Sequence, residues 1–151
     1  PNLKLHLVGN YKENDPYYLN LINHKNYMKY KKDIKFWGKR KDACKIIYIS
    51  DLFLLPTRAE AFPRVILESM ALKVPIASSN VDGIPEMLDN NNSILFSHDN
   101  YDKLIKELTS IYNNKNLTEK LINNASKKYW NNFSRKKQIK RINNFLKGIN
   151  N

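Results

Sequence analysis

The segment from Asp51 to Leu72 constrains the fold of this 151-residue chain more than any other stretch. A short apolar strand, Asp51 to Leu55, ends in Pro56-Thr57-Arg58. A loop, Glu60-Ala61-Phe62-Pro63, leads from there into a strongly apolar helix predicted from about Pro63 to Leu72. A strand, a turn and a helix whose first turn faces a cleft make a ready-made phosphate site. The aligned backbone dipoles and free N–H groups at the helix start favour an anion there. The same stretch carries two carboxylates, Glu60 in the loop and Glu68 inside the helix.

The rest of the chain repeats this alternation. Leu3 to Val8 alternates and ends at Gly9-Asn10, as a strand and its turn should. Asp15-Pro16 starts a helix, with Asp as N-cap and Pro in the first helical position. Tyr18, Leu21, Ile22 and Met28 are expected to form its inner face. A strand from Ile34 to Trp37, closed by Gly38, precedes a helix from about Asp42 to Ile49. After the motif helix come a strand at Val74–Ser78, a short helix begun by Asp82-Gly83-Ile84-Pro85-Glu86, and a strand at Ser93–Phe96. Three apolar stripes predict three closing helices: Leu104, Ile105, Leu108, Ile111 and Tyr112; Leu117, Leu121 and Ala125; Ile139, Ile142, Leu146 and Ile149. Strands alternating with helices predict an α/β, Rossmann-like parallel sheet with right-handed crossovers and a single domain over residues 1–151.

Composition narrows the function. Hydrophobic residues make up 42%, an ordinary globular share, so disorder is not expected. The single Cys44 cannot form an internal disulfide, and a cytoplasmic setting is the natural expectation. The run Ile46 to Pro56, broken by Ser50 and Asp51, is too short to span a bilayer. A start at Pro1 rather than Met reads as a fragment. The net charge of +12 invites a nucleic-acid or membrane reading. Lysine and asparagine crowd even plain linkers, however, and the Gly-aromatic interleaving of single-strand binders is missing, so no nucleic acid is expected. The densest basic run, Lys127-Lys128, Arg135-Lys136-Lys137 and Lys140-Arg141, is placed to touch anionic headgroups at a membrane face. His6 and His24 lie on ordinary elements and His98 in a loop; no spacing resembles a metal site and no nucleophile–base pair is visible.

Five ordered motifs carry a resemblance: Pro56-Thr57, Glu60-Ala61-Phe62-Pro63, Glu68-Ser69-Met70-Ala71, Val74-Pro75-Ile76-Ala77 and Asp82-Gly83-Ile84-Pro85-Glu86. Together they resemble the C-terminal, donor-binding half of a GT-B glycosyltransferase of the family 4, or group 1, type. The family pattern is a strand ending Pro-Ser, then Glu-Gly-Phe-Gly or Glu-Gly-Phe-Pro, a helix with Glu-Ala-Met-Ala, Gly-x-Pro-Val-Ile-Ala and Gly-Gly-Ile-Pro-Glu. Leu7-Val8-Gly9 and Phe36-Trp37-Gly38 match two further strand ends, so the likeness spans nearly the whole chain. Ala61 replaces a common Gly, Arg64 stands where Asn or an apolar residue is usual, and Asp82 replaces the first of two glycines.

The resemblance implies a nucleotide-sugar, UDP- or GDP-linked, bound as substrate with no separate cofactor. Its sugar would pass, with retention, to a saccharide or lipid-linked acceptor held mainly by an N-terminal domain, in surface polysaccharide or glycolipid synthesis. Glu68 suits the ribose, because an ionised carboxylate accepts two hydrogen bonds from vicinal hydroxyls. Glu60 is the expected catalytic residue, lying against the donor sugar and steadying positive charge at the anomeric carbon. Backbone N–H groups from Phe62 through Arg64 to Val65, with Pro63 between them, would meet the sugar and diphosphate. Gly9, Gly83, Lys39 and Arg40 complete the expected donor-binding set. Arg64 is also the i−4 neighbour of Glu68, where an ordinary ion pair is the competing expectation. Two other readings stand beside the transferase: a basic, non-catalytic module for nucleic acid or membrane, and another GT-B enzyme such as a sugar-nucleotide epimerase.

Family members usually begin this half with a strand ending Gly-Arg, followed by Lys-Gly, whose side chains grip the diphosphate. Leu3 to Val8 matches the strand after it. The first strand is central in the dinucleotide-type order, so a gap or a re-pairing is expected between Leu3–Val8 and Leu52–Leu55. The chain alone is expected to transfer no sugar and to bind donor weakly, since each lost charge-assisted contact costs about 1.5–3 kcal/mol.

Overall fold

The computed structural model describes residues 3–97 and 100–149. His98, expected in a loop, lies outside the described residues. The chain forms two compact units, Pro1–Ala43 and Cys44–Asn151.

In the first unit, β1 (Leu5–Val8) pairs in parallel with β2 (Ile34–Gly38), Leu5 opposite Ile34 and Leu7 opposite Phe36, with an irregularity between Leu7 and Val8. Between them lie α1 (Pro16–Ile22), a one-turn α2 (Tyr27–Tyr30) and a tight turn at Lys31–Asp33. The α1 start is as expected: Pro16 opens it and the Asp15 carboxylate accepts the Tyr17 N–H at 2.8 Å. Its end is not. The polar run Asn23-His24-Lys25-Asn26 stops the helix, the Asn23 N–H bonding back to the Leu19 carbonyl at 3.0 Å. Met28 therefore falls on α2, where it is 67% exposed rather than on an inner face. Tyr11, Tyr18 and Phe36 supply the apolar contact instead, with ring centroids 4.9–5.3 Å apart.

The second unit carries the core. Its sheet runs β3 (Phe53–Leu55), β4 (Ile76–Ser79), β5 (Ile94–Phe96), all parallel, with β4 central and buried along its length. Successive β4 side chains point to opposite faces, and the core divides accordingly. Ile76 packs with Ile66 and Met70 of α4 (Arg64–Ala71), Ile84 and Met87 of α5 (Ile84–Met87), Leu88 and Ala125. Ala77 packs with Ile94, Phe96, Leu104, Ile111 and Leu121. The helices α3 (Ala43–Tyr48), α6 (Tyr101–Asn113) and α7 (Lys115–Lys128) complete the layers. As the strand order anticipated, the strands form two sheets, with no ladder between β1–β2 and β3–β5 among the described residues.

Helix α4 matches its expected span closely. Pro63 is its N-cap in extended conformation, and Leu72 its C-cap. Lys73 then turns left-handed (φ 58°), letting the Val74 N–H reach the Ser69 carbonyl at 3.1 Å. This is a Schellman-type stop built on lysine in place of the usual glycine. After α7 a wide turn, Tyr129–Phe133, is closed by the Ser134 N–H on the Tyr129 carbonyl at 3.0 Å and leads into α8 (Arg135–Ile149). The predicted stripe on α8 is present but uncovered: Ile139, Ile142, Leu146 and Ile149 are 48–63% exposed. Residues 120–151 hold nine Lys and Arg and no Asp or Glu. Among the described residues no helix is long and apolar enough to cross a membrane.

Candidate functional site

The loop between β3 and α4 is held at four points. At its start, the Ser79 hydroxyl at the end of β4 lies 3.1 Å from the Leu55 carbonyl and 2.5 Å from that of Thr57, sharing one hydrogen between them. At its middle, both main-chain polar groups of Glu60 are taken up by residues 82 and 83. The Glu60 N–H donates to the Asp82 carboxylate at 2.9 Å, and the Gly83 N–H donates to the Glu60 carbonyl at 3.3 Å. At its end, the Phe62 ring meets Phe133 edge-on, centroids 5.9 Å apart, and Pro63 is buried.

Gly83 is glycine here for space rather than for φ. Its backbone is right-handed (φ −83°), which any residue adopts, but an added Cβ would sit 1.7 Å from the Ala61 carbonyl oxygen. The left-handed residue is its neighbour Asp82, at φ 45°. Asp is among the few side chains that tolerate that region. Ala61 does not take positive φ, so the substitution of a common glycine there leaves the loop unstrained.

The first turn of α4 has no acidic residue and no side-chain cap, and Pro63 contributes no N–H. The N-terminal partial charge of the helix is thus not neutralised from within. Arg64 at its start is exposed and Val65 half-buried. Glu68 is half-buried on the body of the helix, among buried Ile66, Ser69 and Met70. No ion pair joins it to Arg64 among the described residues. Its partner is the Cys44 thiol of α3, which donates to it. Partial desolvation first, then the Glu68 charge and this hydrogen bond, push the thiol pKa up, so Cys44 is protonated and poorly nucleophilic near neutral pH. Nothing in the sequence flagged Cys44, which stands 24 residues before Glu68 on a separate element.

The remaining predicted residues belong to the first unit. Gly9 (φ 151°) and Gly38 (φ 65°) both need glycine, and the Gly9 N–H bonds the Gly38 carbonyl at 3.0 Å. Lys39 is exposed. Arg40 is committed locally: its guanidinium forks onto Asp42 at 2.8 and 2.9 Å and lies 4.9 Å from the Trp37 ring, and the Asp42 hydrogen bond raises its pKa further. Trp37 also receives the Lys35 ammonium at 3.7 Å and donates its indole N–H to His6 at 2.9 Å. No spacing in the chain announces this cluster.

A shallow polar depression of about 370 Å³ lies elsewhere in the second unit, lined by Asp89, Asn91, Asn92, Asn124, Lys127, Lys128, Asn131 and Asn132. None of these is among the predicted donor-site residues, though Lys127 and Lys128 belong to the basic run. Its centre is Asp89, which accepts from the Asn91 N–H (2.9 Å), the Asn92 amide (2.8 Å) and the Lys128 ammonium (3.1 Å).

Comparison with known proteins shows the family and the fold. Residues 1–128 match the family model described as glycosyl transferases group 1. Over 121 residues the chain is 29% identical to UDP-Gal:alpha-D-GlcNAc-diphosphoundecaprenol alpha-1,3-galactosyltransferase of Escherichia coli, covering 80% of this chain and 31% of that protein. The fold superposes on Anabaena Alr3699/HepE, solved in complex with UDP, with a TM-score of 0.85 at 22% identity, over 98% of this chain and 42% of that one. It also matches the C-terminal domain of the group 1 protein LpcC from Francisella tularensis, with a TM-score of 0.63 at 15% identity, over 88% of this chain and 87% of that domain. The chain spans between 15% and 33% of the length of the curated relatives it matches.

Proposed function

The chain belongs to the group 1 family of glycosyl transferases, and from that premise we propose that it forms the donor-binding half of a retaining, hexosyltransferase-type enzyme. The donor is a nucleotide-sugar, UDP- or GDP-linked, taken as substrate with no further cofactor. The acceptor, a saccharide or lipid-linked saccharide, is held mainly by another domain. Sugar transfer in glycolipid and polysaccharide synthesis fits the relatives named above, one of which acts on a diphosphoundecaprenol-linked sugar.

One observation carries the reading: a loop pinned along its length presents Glu60 immediately before a helix N-terminus that no side chain caps. The uncapped first turn of α4 suits a diphosphate, which would receive N–H groups of Arg64 and Val65 and the favourable end of the dipole. Glu68 lies further along the same helix, half-buried and without a cationic partner among the described residues, as a carboxylate reserved for the vicinal ribose hydroxyls would be. The Cys44 thiol fills one acceptor site of Glu68 and can yield it when the ribose arrives. Glu60, whose main chain is fixed, directs its side chain at the donor sugar, where a negative charge steadies the positive anomeric carbon in the transition state.

Calorimetry and kinetics on the full-length protein test this. Glu68→Ala should weaken UDP or GDP binding by about 10- to 100-fold, the effect of a lost charge-assisted hydrogen bond. Glu60→Ala should lower kcat more than it weakens donor binding. Wild-type behaviour of both variants would retire the assignment.

A further inference from the structure

Resting on the reading of Glu60 as the donor-sugar residue, we infer that Asp82 is a positioning residue that clips the Glu60 main chain and thereby sets the sugar subsite. The clip is reciprocal. The Asp82 carboxylate receives the Glu60 N–H at 2.9 Å, while the next residue, Gly83, donates its own N–H to the Glu60 carbonyl at 3.3 Å. The two bonds hold the successive peptide units on either side of the Glu60 Cα, so the Cα–Cβ direction of Glu60 is fixed.

The clip is anchored to the most rigid part of the molecule. Residues 82–83 lead directly into α5, whose Ile84 and Met87 are fully buried. The Val81 carbonyl and the Ile84 N–H close the turn at 3.1 Å. Gly83 brings the two segments to van der Waals distance, since no side chain separates it from Ala61. Asp82 is held left-handed at φ 45°, and this conformation presents its carboxylate to Glu60. A glycine at this position would reach the same φ at no cost, but would leave the Glu60 N–H without this acceptor. The aspartate therefore accepts an awkward backbone conformation in return for a charge-assisted hydrogen bond on the catalytic loop. Asp82 acts on the sugar side: its bond is to the loop at Glu60, whereas Glu68, the ribose carboxylate, sits on the body of α4.

The test compares Asp82→Asn, Asp82→Ala and Asp82→Gly with wild type in the full-length protein. Residue-resolved hydrogen exchange reads the clip directly. The Glu60 amide should exchange slowly in wild type and Asp82→Asn, which keeps a side-chain acceptor, and about ten-fold or more faster in Asp82→Ala and Asp82→Gly. Calorimetry with UDP, UDP-glucose, GDP and GDP-mannose reads the consequence. Affinity for the free nucleotide should be unchanged in all variants. The extra affinity that the attached sugar provides should fall about ten-fold in Asp82→Ala and Asp82→Gly and be restored in Asp82→Asn. Equal exchange at Glu60 in all four proteins overturns the clip. Equal loss of free-nucleotide affinity and sugar increment overturns the positioning role. If wild type binds neither nucleotide, the donor-site reading fails while the exchange measurement still decides the clip.

Discussion

The two units hold their functional candidates by different physics. Between Leu3 and Ala43 no described residue is buried, and Arg40 and Trp37 are oriented by ring contacts and ion pairs at the surface. From Cys44 onward the candidates hang on elements with fully buried side chains: Ile66 and Met70 in α4, Ile84 and Met87 in α5. A charge placed by surface contacts is worth about 0–1 kcal/mol and is screened by salt. A charge placed by a packed helix keeps its position regardless, because moving it means opening the core. Glu60 and Glu68 therefore have the support that a site needs, and Arg40 keeps its geometry only through Asp42 and Trp37.

The contrast is largest in stability. Met70→Ala removes a side chain with no exposure and should cost about 2–5 kcal/mol, the usual range for large-to-small changes in a core. Phe36→Ala removes the half-buried ring beside Tyr11 and Tyr18 and should cost about 1–2 kcal/mol, chiefly the lost aromatic pairs. Denaturant titration of each variant checks the order, and a Phe36→Ala loss equal to that of Met70→Ala would break the comparison.

Gly83→Ala should fall between these two. Its Cβ must displace the Ala61 carbonyl, because the buried α5 on its own side cannot retreat. A loss of about 1–3 kcal/mol is expected, as for other overpacked sites. It should come with faster amide exchange at Glu60, whose carbonyl accepts the Gly83 N–H. An unchanged melting curve would show that the loop gives way freely, and would weaken the view that packing fixes Glu60.

Most of this architecture was legible in the sequence, for reasons that differ from element to element. Helix α4 could be read to within a residue because Pro63 starts it and apolar residues continue to Leu72. The strands β3, β4 and β5 could be read from apolar runs separated by helical stripes, and their adjacency from the dinucleotide-type strand order. Met28 was misplaced because periodicity carries across a turn that four polar residues in fact impose. Both carboxylates could be named from their motifs, but what holds them could not. The contacts of Cys44 with Glu68 and of Asp82 with Glu60 join residues on separate elements, and no spacing rule encodes them. Asp82 looked like a departure from a glycine pair; in the fold it is a hydrogen-bond acceptor in a left-handed turn.

The smallest expected effect lies in the second unit itself, at the surface cluster around Asp89. Burial alone would raise the Asp89 pKa, but the Asn91 N–H, the Lys128 ammonium and the Asn92 amide outweigh it and hold the group below the ordinary carboxylate range. A folded-state pKa below the unfolded value of about 3.9 means that the unfolded chain binds the proton more readily. The stabilisation is therefore complete above about pH 4 and is lost as pH falls through the lower folded value. With the Asp89 side chain 46% exposed, solvent screening limits it to under about 1 kcal/mol. Asp89→Asn should lower stability slightly at pH 7, and the gap from wild type should narrow as pH falls below about 4. A gap that persists in acid would show that the charge is not its source. A gap as large as that of Met70→Ala would mean that a surface carboxylate can matter as much as the core, and the distinction between the two units would fail.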